Sequence, residues 1–329
     1  MKLGIALNIA GDPERADVDL LTEHTHLGDI AEWLGFSSLF VFEHHFSDYL
    51  ISPCPTSLLT YFAGRSKTIL LGTSAIILPW HQPLQVAERM LLLDALAGHR
   101  TIYGFGTGRA PLEFSAMAVD YGEALERWHE AIAIIRQAMA GQSVHFQGRF
   151  NTVDDVTVRP LPKRRSAHSF FTPASTAASA KRAAMEEMGL MLSSSLGTEL
   201  IMQLSATHKA ACKSVELPKP ILFAPIFVGD DDTQAASEVE DFRAADRQMA
   251  GSHYVGSHDK PTIREVDSNG LDHIVGSSST CLEALRKLQR AAGSDHIVLE
   301  ISFGAMPPAM AEVNMRRVAE EILPIVSSW

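Results

Sequence analysis

Short apolar runs of strand length alternate with amphipathic stretches of helical spacing, about eight times along the chain. Leu3–Ile9, Ser38–Phe42, Thr68–Leu78, Ile102–Phe105, Ser169–Thr172, Leu190–Ser193, 220–230 and 296–304 are predicted strands. Predicted helices lie between them: Thr22–Leu34, Thr56–Ala63, Gln82–Leu96, Glu123–Met139, Ala177–Met188, Thr198–Cys212, a stretch from about 231 through Met249, and Thr280–Ala292, with Ala309–Val326 closing the chain. A strand that must return parallel to its predecessor needs a helical crossover, so strict alternation predicts a parallel sheet. Eight such units in 329 residues fit a (β/α)8 TIM barrel; an open doubly wound sheet is the alternative. Residues 143–165 interrupt the rhythm with turn residues and alternating runs, which predicts an inserted hairpin. Residues 250–273 are polar, Gly-rich and aperiodic, a candidate mobile loop. With no linker or composition shift, residues 1–329 read as one domain.

Composition narrows the partners. The formal net charge is −11, which argues against nucleic acid or an anionic membrane surface as partner. No run of 18 apolar residues occurs, and the first residues lack the features of a signal peptide. Cys54, Cys212 and Cys281 are odd in number and widely spaced, which predicts neither a disulfide framework nor a metal cluster. The expected location is the cytoplasm.

In a barrel the chemistry gathers at the C-terminal strand ends. The second strand ends in "FVFEHHFSDY", with Glu43, His44 and His45 in succession. Side chains alternate along a strand, so neighbouring histidines point to opposite faces and make poor co-ligands. No metal site is therefore expected. One inward imidazole remains, as a general base or hydrogen-bond donor, or as a histidine bonded into the rim. At the fourth strand end, "GFGTGRA" offers backbone amides and Arg109, which suit an anion. "TPASTAAS" places hydroxyls at Ser175, Thr176 and Ser179 where a helix begins. That is either an anion site or an ordinary N-cap. Taken together, the last two features favour a phosphorylated cofactor.

The segment "VFEHHFSDYLISPCPTSLLTYFAGRSKTILLGTSAIILPWHQPLQVAERMLLLDALAGHR" resembles the bacterial luciferase-like flavin monooxygenase family, the luciferase α-type in particular. The likeness returns at "TPASTAASAKRAAMEEMGL" and "GSSSTCLEALRKLQRAAGSDHIVLEISFG". It implies a (β/α)8 barrel that takes reduced FMN (FMNH2) from a separate NAD(P)H-flavin reductase. With O2 it would oxygenate a small organic substrate through a flavin hydroperoxide. By position, His44 matches the catalytic histidine, and Glu43 falls near the flavin. Ser74–Ala75 matches a non-proline cis peptide beneath the ring. Gly106, Thr107, Gly108 and Arg109 match the fourth-strand cofactor segment. Thr176 and Ser179 match hydroxyls at the phosphate, and Ser175 lies beside the ring. Two departures stand out. Many members read Gly-Arg-Gly where Thr107 stands here, so Arg109 is the candidate substitute. The reactive cysteine of luciferases is replaced by Gly106.

Phe46, Tyr49, Trp80 and Phe105, with the 250–273 loop, are the expected substrate-pocket wall. The loop is expected to close over the flavin. A homodimer through the early helices is expected by resemblance. A deazaflavin-dependent oxidoreductase and a flavin-binding relative without turnover are the alternatives. The deazaflavin branch often carries Asp-His rather than Glu-His-His at the second strand end.

Overall fold

The computed structural model describes residues 1–162, 170–212, 216–256 and 273–329. In chain order the elements are β1 (Lys2–Leu7), α1 (Asp17–Ala31), β2 (Ser38–Val41), α2 (Pro55–Ala63), β3 (Leu70–Ile77), α3 (Pro83–Leu96), β4 (Thr101–Gly106), α4 (Pro111–Ala116) and α5 (Ala124–Met139). Then come β5 (Ser143–Gln147), β6 (Thr152–Thr157), β7 (Phe170–Pro173), α6 (Ala177–Met185), β8 (Gly189–Ser193), α7 (Gly197–Ala211), β9 (Ile221–Val228) and α8 (Asp232–His253). The chain ends with β10 (Ile274–Gly276), α9 (Ser278–Ala292), β11 (His296–Glu300), α10 (Pro308–Arg317) and α11 (Leu323–Ser327).

Eight parallel strands close into a barrel in the order β1, β2, β3, β4, β7, β8, β9, β11. Closure is made by β1 against β11 and by β8 against β9. Alternation sorts the strand residues into two cores. Phe40, Phe171, Met191, Ile221, Phe223 and Val298 fill the barrel interior, with Phe40 and Phe223 edge to face at 5.4 Å. Leu39, Val41, Leu71, Tyr103 and Phe105 turn outward into the layer beneath the helices. The expected hairpin is β5–β6, and Glu130 of α5 holds its turn by accepting the amide N–H groups of Arg149, Phe150 and Asn151.

Four expectations are corrected. A ninth parallel strand, β10, escaped the alternation count because it has three residues. β9 is long enough to pair its first five residues with β11 and its last three with β10. α8 runs to His253, so the first residues of the 250–273 stretch are helical; 257–272 lie outside the described residues, as do 163–169 at the end of the 143–165 segment. α4, unassigned in the sequence, is a short helix opened by Pro111. The last helix is not continuous. Pro324 has no N–H to bond back with, and the turn preceding α11, Val318–Ile322, is a π-helix.

Candidate active site

β2 carries the central histidine to the mouth. Phe40 and Phe42 face the barrel interior, so His44, two residues on, faces the same side, while Glu43 and His45 face away. His44 Nδ1 lies 3.2 Å from Glu113 Oε1 and 3.1 Å from His253 Nε2. Its Nε2 lies 3.3 Å from the Tyr254 hydroxyl, and the Tyr49 ring stands edge-on at 5.0 Å. Glu113 comes from α4 and its Oε1 also accepts the His45 amide at 2.8 Å. His253 ends α8, stacks on Tyr49 and holds Ser47 Oγ at 2.8 Å from its Nδ1.

Burial sets the ionisation of this group. It lowers the pKa of His44, against the upward pull of Glu113. It would raise Glu113, but hydrogen bonds from His253, His44 and the His45 amide outweigh it and hold the carboxylate at about 2. Burial also raises Tyr49 and Tyr254 well above the ordinary phenol range. The cluster is thus an anionic carboxylate against imidazoles, walled by neutral phenols.

Glu43 occupies a different position from the one expected. Its oxygens take His81 Nε2 at 2.6 Å, His45 Nε2 at 3.2 Å and the Ile77 amide at 3.1 Å. It braces the end of β2 against the end of β3, turned from His44 by strand alternation, and its oxygens are spent on protein groups. Phe105 is a second correction. It is fully buried beneath the helices with its ring 5.0 Å from Phe170, because β4 presents Gly104 and Gly106, not Phe105, to the interior. Trp80 packs between His45 and Phe114 on the Glu43 side, and Phe46 is exposed beside His45. Of those four side chains Tyr49 alone stands against His44; from the expected 250–273 stretch, His253 and Tyr254 reach it as well.

The segments expected to hold a cofactor lie at the ends of β3, β4 and β7. The Ser74–Ala75 peptide is cis, at the point where the register of β3 on β4 slips by one residue. Gly106 and Gly108 carry no side chain there, and a Cβ on either would strike Ile77 within 3 Å. Thr107 stands between them, partly buried. Arg109 lies over the Tyr254 ring with its Cζ 3.9 Å from the centroid, and its buried Nε has no acceptor among the described residues. At the start of α6, Thr176 and Ser179 form a reciprocal capping box, and the Ser175 amide also donates to Ser179 Oγ. Both hydroxyls are therefore engaged. Ala177 and Ala178 are exposed, and amides in the first turn of a helix have no intrahelical acceptor. Bare glycines, an acceptor-free guanidinium nitrogen and an open helix N-terminus fit a flat, phosphorylated ring system.

Several members of the mouth were not singled out in the sequence. Glu113, His253, Tyr254 and Ser47 belong to it, and so do Asn8 and Glu300. Asn8 donates to Glu300 at 2.7 Å, and burial raises Glu300 to about 7, near Asp246 and His273. Glu300 had a readable signal: like Glu43, it is a carboxylate closing an apolar strand. His253 had none, since nothing in "AGSHYVGSH" marks one histidine over another.

A family model described as luciferase-like monooxygenase matches residues 1–296. The uncharacterized protein y4wF of Sinorhizobium fredii is 31% identical over 139 residues, 42% of this chain and 41% of that protein, so the match spans well under half of y4wF. The oxygenase component of flavin-dependent trigonelline monooxygenase from Acinetobacter baylyi is 23% identical, with 95% of this chain and 92% of that one covered. Among solved structures, monooxygenase RslO1 of Streptomyces bottropensis superposes with a TM-score of 0.87 at 26% identity, over 99% of both chains. Two structures below 25% identity share the fold. The oxygenating constituent of 3,6-diketocamphane monooxygenase from Pseudomonas putida, in complex with FMN, has a TM-score of 0.81 at 18% identity, over 98% of both chains. The coenzyme F420-dependent tetrahydromethanopterin reductase of Methanopyrus kandleri has a TM-score of 0.71 at 20%, over 99% of both.

Proposed function

Because the chain belongs to the luciferase-like monooxygenase family, we propose that it is the oxygenase component of a two-component system using reduced FMN. It would insert one oxygen atom from O2 into a small, apolar organic substrate. The observation that carries the reading is the placement of His44 in the barrel mouth, buried against Glu113, His253 and Tyr254. The name of the Acinetobacter relative, an oxygenase component, supports a separate reductase as partner.

Reduced FMN, when bound, would supply two electrons and the site of reaction with O2. The residues that would hold it are Ser74, Ala75, Gly106, Thr107, Gly108 and Ser175 at the ring side, with Arg109 and the first turn of α6, Thr176 to Ser179, for the phosphate. His44 handles a proton in the mouth. Glu113 and His253 fix its ring plane through Nδ1, leaving Nε2 toward Tyr254. Burial keeps the imidazole neutral near pH 7, so one ring nitrogen is free to accept a proton. Tyr49 and the other apolar groups exclude water.

The oxygenase is also proposed to be a homodimer through α1–α3. Val18, Tyr61, Leu92 and Leu96 expose apolar surface on these three consecutive helices.

The test is anaerobic titration with FMNH2 and, separately, with reduced F420, followed by 18O2 and a panel of aldehydes, ketones and aromatics. FMNH2 should bind, and label should enter one product. His44→Ala should lose roughly 10²-fold or more in turnover while its circular dichroism is unchanged. Preference for F420, or an 18O-free product, overturns the proposal.

A further inference from the structure

Three ligand-type atoms converge in the mouth from three separate elements. His44 Nδ1, His253 Nε2 and Glu113 Oε1 stand 3.1, 3.2 and 3.4 Å from one another. Hydrogen bonds alone leave this triangle frustrated. With a proton on each facing nitrogen, both sides to Glu113 are satisfied, but two N–H groups oppose each other across 3.1 Å. With one proton removed, the nitrogen pair is satisfied and a bare lone pair then faces the carboxylate. A cation at the centre satisfies all three sides at once.

The dimensions agree. Metal–ligand bonds of about 2.0–2.1 Å at tetrahedral angles set ligand atoms about 3.3 Å apart, within the 3.1–3.4 Å range of this triangle's edges. The outer nitrogens agree as well. Coordination through His44 Nδ1 requires its proton on Nε2, which faces the Tyr254 hydroxyl at 3.3 Å. Coordination through His253 Nε2 requires its proton on Nδ1, which faces Ser47 Oγ at 2.8 Å. Both tautomers thus have an oxygen to receive the remaining proton, as metal-bound histidines do. The His45 amide, donating to Glu113 Oε1 at 2.8 Å, fixes the carboxylate.

We propose that His44, Glu113 and His253 form a binding site for a divalent transition metal of the zinc class. Two imidazoles and one carboxylate favour Zn2+, Co2+ or Ni2+ over Mg2+ or Ca2+, which prefer all-oxygen shells. The expected consequence, which rests on the oxygenase reading, is inhibition. A metal on Nδ1 holds the His44 proton on Nε2, so the ring has no free lone pair for proton transfer. Metal and turnover then exclude each other.

The experiment uses the full chain, freed of metal by chelation and without flavin or substrate, titrated with Co2+. One equivalent should bind and give the intense visible band of tetrahedral Co2+, and Zn2+ should displace it. Glu113→Gln and His253→Gln should each weaken binding at least tenfold. Ser47→Ala keeps all three ligands and should weaken binding about tenfold by removing the hydroxyl that receives the His253 Nδ1 proton, which preserves the test if a ligand variant does not fold. His145→Gln, an exposed histidine on the β5–β6 hairpin, should change nothing. A chain that binds no stoichiometric Co2+, or a band that survives Glu113→Gln, His253→Gln or Ser47→Ala at full affinity, overturns the site. Because no flavin is present, that outcome leaves the oxygenase reading standing; the 18O experiment alone decides the latter.

Discussion

Glu300 gives the sharpest prediction about pH. It ends β11 inside the mouth, accepts one hydrogen bond from Asn8, and faces Asp246 and His273. Burial lifts its pKa from the usual 4.5 to about 7. The sign follows from proton counting. Below pH 4.5 both folded and unfolded chains hold the proton, and there is no effect. Between 4.5 and 7 the unfolded chain releases it and the folded chain keeps it, so stability falls as pH rises; above 7 the loss is complete. The shift corresponds to about 3 kcal/mol. The side chain keeps some contact with solvent, so this figure is a ceiling. Glu300→Gln keeps the acceptor for Asn8 and removes the titration. Its stability advantage over the parent should widen by roughly 2–3 kcal/mol between about pH 5 and pH 8. At about 2.1 cal/mol/K per residue, a chain of 329 residues shifts by about 3–4 °C for that difference. Melting temperatures of both proteins across this range are the assay. Curves that run parallel would refute the reasoning, because they would mean that Glu300 titrates alike in both states.

Three further outcomes are expected. Asn314→Leu should cost about 3 kcal/mol or more in urea unfolding. It strands the Val228 amide and the Ile226 and Ile301 carbonyls, which Asn314 now satisfies where β9 and β11 end. Gly104→Ala should lower stability by about 1–3 kcal/mol, because its Cβ would stand 2.6 Å from the Thr73 carbonyl oxygen, a backbone atom of the adjoining strand, and from Met191 Sδ. Leu92→Asp combined with Leu96→Asp should yield a monomer in light scattering with an unchanged circular dichroism spectrum; a parent chain that is itself monomeric removes the dimer proposal.

Much of the scaffold was legible because it follows from local rules. Apolar runs such as "PILFAPIFVGD" are strands buried on both faces, and in the structure all eight residues of β9 are buried. Glu130, by contrast, looked like one charge on a long helix, and only the packed hairpin reveals it as the anchor of the turn at 149–151. β10 was hidden for a related reason. Three residues carry too little pattern, and they are a strand only because the last three residues of β9 leave an edge for them.

The site divides along the same line. Strand parity is a property of the chain itself, so the sequence by itself separated His44 from Glu43 and His45 and turned one imidazole inward. It also marked the glycines and Arg109 after β4. Tertiary structure decided what surrounds that imidazole. Glu113 lies 69 residues away in the chain and His253 lies 209 away, and they meet His44 only because β2, β4 and β9 end on one rim of a closed barrel. The same closure separated Phe105 from the pocket and set two nitrogens and an oxygen within 3.4 Å of each other. Periodicity encodes which face a residue takes on its own element. It carries no information about which elements barrel closure will bring side by side, and the chemistry of this mouth depends on that.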